Sequence, residues 1–329
     1  MFTKTFFKLF PPPKFLNIPY AGLDISDDAI RCIEYSHPHH GYTVSKSGTR
    51  MLKPGVIDSG HIKDEKALIE ELKSLAKELK ITTVKASLPE ERMYLFKTEV
   101  PSTNEDQIRQ NIEFKLEENV PLKVSEAVFF FDLLPDNVKG KNEKNKSYVS
   151  VSVAPRELVN SYLKTLEGAG LSVVSFEIQA KAIARAVIPP DSTETELIVH
   201  VMKNKTGLYV VSNGVVCFTS TISWGGDSII DKSESDITDS IFELRHEIEK
   251  VFNYWIQRDQ GEPIKSLVIS GYNAQMISQI SHLSPGQDVP LYLANVWHNI
   301  LSTKHYIPPI SHIDSLTYAI AAGLAIPYD

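Results

Sequence analysis

The feature that most constrains the fold of this chain is a pattern that occurs twice. Residues 20–25, 29–35 and 42–52 read as three consecutive strands, joined by a tight turn at Ser26, Asp27 and Asp28 and then by a turn rich in His, Pro and Gly. Much later, residues 197–202, 207–211 and 215–222 repeat the run, with Asn213-Gly214 as a hairpin turn. An amphipathic helix at 64–80 follows the first run, with Leu68, Leu72, Leu75 and Leu79 on one face, and then a short buried strand at 84–88. A long helix at 237–258 follows the second, and then a strand at 266–270 that Gly271 breaks. With 329 residues the chain is too long for one ordinary core, so the repeat predicts two α/β lobes of similar plan.

Between the two runs lies a different pattern, strand–helix–strand–strand–helix–strand, over residues 93–178. Its helix at 103–119 stops before Pro121, its strand at 127–134 is rich in Phe, and residues 136–147 form a lysine-rich solvated loop. A strand at 148–153 leads to a helix at 155–169, which Gly170 closes. A strand at 171–178 and a helix at 179–187 come next, and a helix of small residues at 316–325 ends the chain.

Composition excludes several functions. A net charge of -7 and a pI near 5.8 argue against broad nucleic-acid binding. No apolar run reaches the roughly 18 residues of a membrane span. Residues 1–10 hold lysines within their apolar set and no small-residue cleavage site follows, so no signal peptide is expected. That tail, with Phe2, Phe6, Phe7, Leu9 and Phe10 before Pro11, Pro12 and Pro13, leaves two readings open. It is either a weak interfacial membrane contact, or a segment that is disordered or docks on protein. Cys32 and Cys217 sit in apolar, strand-like surroundings without metal-ligand spacing and read as buried thiols. His37, His39 and His40 share a turn with no nearby carboxylate or Cys, and read as solvated rather than as metal ligands.

Taken in order, several segments resemble the PilM family, the actin-like proteins of type IV pilus systems. They are Gly22-Leu23-Asp24-Ile25-Ser26 with Ile30-Arg31, IRQNIEFKLEENVPL at 108–122, EAVFFFDLL at 126–134, and Ala154-Pro155-Arg156-Glu157-Leu158-Val159 leading to Gly170. FTSTISWGG at 218–226, LVISG at 267–271 and the terminal helix at 318–324 complete the series. The resemblance covers essentially everything after Tyr20. It implies an α/β, actin-like fold of duplicated ribonuclease H-like βββαβα lobes with an inserted α+β subdomain called 1C. The implied division is a tail at 1–19, lobe 1A at 20–92 with 179–195 and 313–329, subdomain 1C at 93–178, lobe 2A at 196–226 and 263–312, and a trimmed 2B at 227–262. It also implies a scaffold at the cytoplasmic face of the inner membrane. The partner would be the N-terminal tail of a PilN-like membrane protein, held in a groove between 1A and 1C, with the pilus motor ATPases as a further partner class. Phe114, which points off the stripe of Ile108, Ile112 and Leu116, is the candidate partner contact, together with Phe129 and Phe131 on one face of the Phe-rich strand. Core packing is the expectation for Trp224 and Trp255.

Actin-like ATPases bind ATP and magnesium between two Asp-x-Gly hairpins, because Gly lets backbone amides approach phosphate and Asp organises the metal. The resemblance places the candidate cofactor residues at Asp24, Ser26, Asp27, Asp28 and Gly271. Asp24 is kept, but Ser26 takes the Gly position, and Asp27 and Asp28 add negative charge where phosphates would lie. In the second hairpin the motif falls on His200-Val201-Met202, with Lys203 and Lys205 beyond it. The third element keeps Gly271 but has Tyr272 and Asn273 in the family's glycine places. The expectation is therefore a chain that is not an enzyme, with a vestigial nucleotide site and no residue placed to activate water. The rivals are an FtsA-like division protein, a secretion platform resembling the cytoplasmic part of GspL, and a kinase or ATPase of the same superfamily. The first would end in an amphipathic helix, the second in a membrane span, and the third would keep intact phosphate loops.

Overall fold

Strand β1 (Ala21–Ile25) is buried at every residue, which a strand reaches only in a sheet covered on both faces. In this computed structural model the described residues are 19–38, 41–101, 104–134, 146–259, 262–278, 283–284, 289–301 and 306–327. The tail at 1–10, His39, His40 and most of the lysine-rich loop lie outside them. After β1 come β2 (Ala29–Ser36), β3 (Thr43–Met51), the short pair β4 (Ile57–Asp58) and β5 (His61–Ile62), α1 (Glu65–Leu79) and β6 (Thr83–Leu88). Then follow β7 (Tyr94–Val100), α2 (Glu105–Asn119), β8 (Ala127–Leu133), β9 (Ser147–Pro155), α3 (Arg156–Gly168), β10 (Ser172–Ile178) and α4 (Gln179–Val187). The last part holds β11 (Thr195–Val201), β12 (Thr206–Ser212), β13 (Val215–Ile222), α5 (Glu234–Asp259), β14 (Ile264–Gly271), α6 (Ala274–Ser278), β15 (Leu291–Leu293), α7 (His312–Ser315) and α8 (Ala319–Ala325).

The expected duplication is present in the sheets. One sheet runs β10-β6-β1-β2-β3 and the other β15-β14-β11-β12-β13. In each, the first strand of the run lies between an antiparallel neighbour, its hairpin partner, and a parallel one that comes later in the chain. Local chemistry sets the boundaries. Asp64 caps α1 by accepting from the Ala67 amide, and Lys80 ends it in the left-handed region at φ 52°. Asn213 and Gly214 both have positive φ, at 52° and 75°, as a tight two-residue hairpin loop requires.

Two expected boundaries move. The inserted module is smaller than residues 93–178. Its sheet is β7-β9-β8 alone, packed under α2 through Ile108, Ile112 and Leu116 against Val149, Val151 and Val153. Strand β10 instead pairs parallel with β6, and α3 buries Leu158, Tyr162 and Leu166 in the core of lobe 1. Period-2 alternation fixes which side of β10 is buried but not which strand it joins. The second shift concerns 227–262, expected as a reduced outer subdomain. Its described residues form a short turn and α5, whose stripe of Ile241, Leu244, Ile248, Val251 and Trp255 belongs to the same core as β11, β12 and β14. Trp224 and Trp255 are core residues, as expected, and Cys32 and Cys217 are buried and unpaired. No helix among the described residues is long and apolar enough to cross a membrane.

The closing helix α8 packs against β1 and α4 at backbone distance. A Cβ at Gly323 would stand 1.7 Å from the Ala182 carbonyl oxygen, and one at Gly22 would stand 2.1 Å from that of Ala321. Helix propensity alone makes Gly323→Ala stabilising by about 1 kcal/mol. Contact with backbone, which cannot swing aside, reverses the sign. Gly323→Ala is expected to destabilise the protein by about 3 kcal/mol, read from urea unfolding midpoints at unchanged m-value.

Candidate functional site

The two duplicated hairpins end in turns of the same construction at one cleft. In the first, the Ser26 amide donates to the Ala29 carbonyl at 3.0 Å; in the second, the Met202 amide donates to the Lys205 carbonyl at 2.9 Å. Asp24 lies just before the first turn and is 2% exposed, so its carboxylate is inside the lobe. Its Oδ1 accepts from Ser87 Oγ at 2.9 Å and from Gln179 Nε2 at 3.2 Å. Burial pushes the Asp24 carboxyl above its usual range, against the opposing pull of Arg31 and of these hydrogen bonds.

The remaining groups of the first turn are also engaged. Ser26 Oγ donates towards Asp28 Oδ1 and the Ala29 carbonyl, and Arg31 reaches Asp28 Oδ2 at 3.4 Å. Asp27 accepts from the Ser59 and Gly60 amides, each at 3.1 Å, and meets Lys205 Nζ at 3.0 Å from across the cleft. Lys205 also bonds Glu91.

His200 occupies the place in the second hairpin that Asp24 holds in the first: Ser270 on β14 stands beside it as Ser87 on β6 stands beside Asp24. Burial drives its imidazole down to about 3, and the charge of Arg31 adds to the shift, so the ring is neutral; its Nδ1 has no hydrogen-bond partner. Met202 is buried. Gly271, at φ 97°, lies against β11, where a Cβ would meet the Val201 carbonyl oxygen at 2.0 Å. It also lines a cleft of about 650 Å³ with Tyr272, Met276, Ile310 and Tyr318.

Sequence reasoning missed Glu90 and Glu91, on the single turn between β6 and β7. Glu90 is buried where the lobes meet; its Oε2 accepts from the Ala180 amide at the start of α4, at 3.0 Å. Burial pushes its carboxyl up to about 7, against this bond and one to Thr219. Both glutamates keep one buried oxygen without a partner, and the Tyr209 hydroxyl is likewise buried and unpartnered. Only their nearness in space marks these residues, and no spacing in the sequence shows it.

Residues 22–281 match the family model of the type IV pilus assembly protein PilM. The chain belongs to the PilM family. Among solved structures, the PilM-PilN type IV pilus biogenesis complex aligns with a TM-score of 0.77 at 20% identity, over 94% of this chain and 98% of that one. The ethanolamine utilization protein EutJ from Carboxydothermus hydrogenoformans aligns with a TM-score of 0.52 at 15% identity, over 96% of this chain and 90% of that one. Comparison with curated protein sequences returns no significant match. This PilM-family chain is thus an actin-like protein of type IV pilus assembly.

The fold implies a nucleotide with magnesium, and the residues at the phosphate end do not fit one. Asp24 and Asp27 are committed to protein donors, His200 and Met202 replace the second acid and glycine, and Lys205 is paired. Among the described residues no group of three His, Cys, Asp or Glu is placed to hold a metal ion. His37 packs edge-on against Tyr42 at 4.5 Å.

The aromatic candidates separate. Phe114 is 84% exposed on α2. Phe129 and Phe131 share one face, as alternation predicts, but they pack half-buried on the module's own core, with Arg109 over the Phe129 ring at 5.0 Å. The opposite face, that of Phe130, is covered by lobe 2 and Lys181 and needs no partner peptide to shield it.

Glu90 yields a pH dependence. Its folded pKa of about 7 exceeds the ordinary 4.5, so the folded state holds the proton more tightly. The stability this contributes is full below about pH 4.5 and lost as pH rises through about 7. Glu90→Gln, which keeps the acceptor for Ala180, is expected to raise stability at pH 8 by up to about 3 kcal/mol and to flatten the decline between pH 5 and 8. Chemical denaturation of both proteins across that range tests it.

Proposed function

We propose that this chain is a non-catalytic scaffold at the cytoplasmic face of the inner membrane, where it binds the N-terminal tail of a PilN-like membrane protein and links the membrane components of the pilus to its motor ATPases. One observation carries the reading: Phe114 stands exposed on α2, the helix that leads into a groove between the inserted module and lobe 1. The groove, about 570 Å³, is lined by Leu122, Ser125 and Glu126 of the module and by Pro155, Arg156 and Asn160 at the start of α3. Glu117, one turn beyond Phe114 on the same helical face, accepts from the Val124 amide at the groove's edge at 3.1 Å. Arg156 ties the two walls together by donating to the Ser125 and Ala127 carbonyls. In this reading an extended tail runs from the groove to Phe114, which offers its aliphatic anchor an aromatic contact. The likeness to a PilM solved with PilN supports this choice of partner.

The non-catalytic part of the proposal rests on the poor fit of the phosphate end. Calorimetry with magnesium-ATP is expected to show weak binding or none, and submicromolar affinity or nucleotide copurifying with the protein counts against it.

Binding of a synthetic peptide carrying a PilN-like N-terminal tail tests the partner. Phe114→Ala is expected to weaken it at least several-fold, a loss of about 1–4 kcal/mol, with the melting temperature unchanged. Unfolding of the variant makes Phe114 a core residue, and unchanged binding places the groove elsewhere.

A further inference from the structure

The two turns that face each other across the cleft carry opposite charge. Asp27 and Asp28 form the loop of the first, while Lys203 and Lys205 lie in the second. Lys203 stays with its own lobe, 3.8 Å from Asp227. Lys205 crosses the cleft to Asp27, at 3.0 Å, and to Glu91. The cluster is largely shielded, with Lys205, Asp27 and Glu91 side chains 16%, 28% and 14% exposed.

Each partner is held from behind. The Ser59 and Gly60 amides fix both oxygens of Asp27, and Arg92 Nε in turn holds the Ser59 carbonyl at 2.7 Å. On the other side Gly225 lies flat on the second turn, where a Cβ would come within 2.4 Å of the Lys203 carbonyl oxygen. The next two amides, of Gly226 and Asp227, donate to the Met202 and Lys203 carbonyls at 2.9 and 3.0 Å. The second turn is therefore presented rigidly, with Lys205 at its end.

We infer that Lys205, Asp27 and Glu91 form an inter-lobe latch in the space where actin-like ATPases take nucleotide phosphates, so that this cleft closes on the chain's own lysine rather than on a ligand. The ammonium group supplies the charge that would otherwise meet a phosphate, and two carboxylates take the place of the anion. A phosphate entering the cleft has to displace both carboxylates from Lys205, and the like charge of Asp27 and Glu91 then opposes it. Removing only the lysine leaves Asp27 and Glu91 facing each other uncompensated, and the two turns loosen. The inference rests on the cleft alone and holds whether or not the groove at the start of α3 binds a partner.

Hydrogen exchange on the full-length protein tests it, read at the amides of Ser26 and Met202, which close the two turns. Lys205→Met is expected to speed exchange at both by at least tenfold, leaving α2 of the inserted module at its wild-type rate. Lys205→Arg is expected to restore slow exchange. Wild-type rates in Lys205→Met at both turns overturn the latch. So does further slowing of both turns in the wild type on adding magnesium-ATP, because phosphate then closes the cleft better than the lysine does. If Lys205→Met does not fold, Glu91→Gln carries the test: several-fold faster exchange at both turns supports the latch, and an unchanged rate overturns it.

Discussion

The relation between the two lobes depends on how closely two short helices approach each other. The chain passes from lobe 1 to lobe 2 through β10, α4 and β11, and returns through α7 and α8. Helices α4 and α8 touch at backbone distance because Gly323 has no side chain to hold Ala182 away, and α8 lies as closely on β1 because of Gly22. Arg185 adds a hydrogen bond from α4 to the Gly323 carbonyl at 2.6 Å. Interiors packed at this density do not deform continuously. The two sheets are thereby held at a fixed angle, and the turns at the ends of β1 and β11 meet across the cleft.

The inserted module adds a second tie. It leaves and rejoins the chain in lobe 1, yet its sheet docks on lobe 2: Ser150 Oγ donates to the Val216 carbonyl at 2.7 Å, Phe130 packs on the larger core, and Lys97 lies over the Trp255 ring at 4.6 Å. This uses up the inner face of the module and leaves the outer face of α2, with Phe114, to solvent. The same docking explains why the Phe-rich strand is not itself a free surface.

At the cleft the strands and the turns answer to different constraints. The strands need a buried, largely apolar set of side chains and paired backbone groups, which β11, β12 and β14 supply through Leu197, Ile198, Val199, Leu208, Val210, Leu267 and Ile269. The turn positions carry no such burden, so Ser26 and Met202 are accommodated there, while His200 sits within β11 and is neutral in its buried place. The fold therefore does not by itself specify the site it carries. The polar residues that remain are directed at one another, and Glu90, Glu91 and Tyr209 show the strain of that arrangement in buried atoms without partners.

The sequence by itself determined the duplicated strand runs, the helices with an apolar stripe, the Asn213-Gly214 turn, the altered hairpin residues and the off-stripe position of Phe114. These are local properties: periodicity reports which side of an element is buried, and a turn's chemistry lies within a few residues. Only the tertiary structure decided that β10 and α3 belong to lobe 1, that α5 completes the core of lobe 2, and that lobe 2 covers Phe130. It alone brought Lys205 to Asp27, 178 positions away, and to Glu91, 114 positions away. Which strands pair, and which charges meet between lobes, follows from the path of the whole chain, and no short stretch of sequence encodes that path.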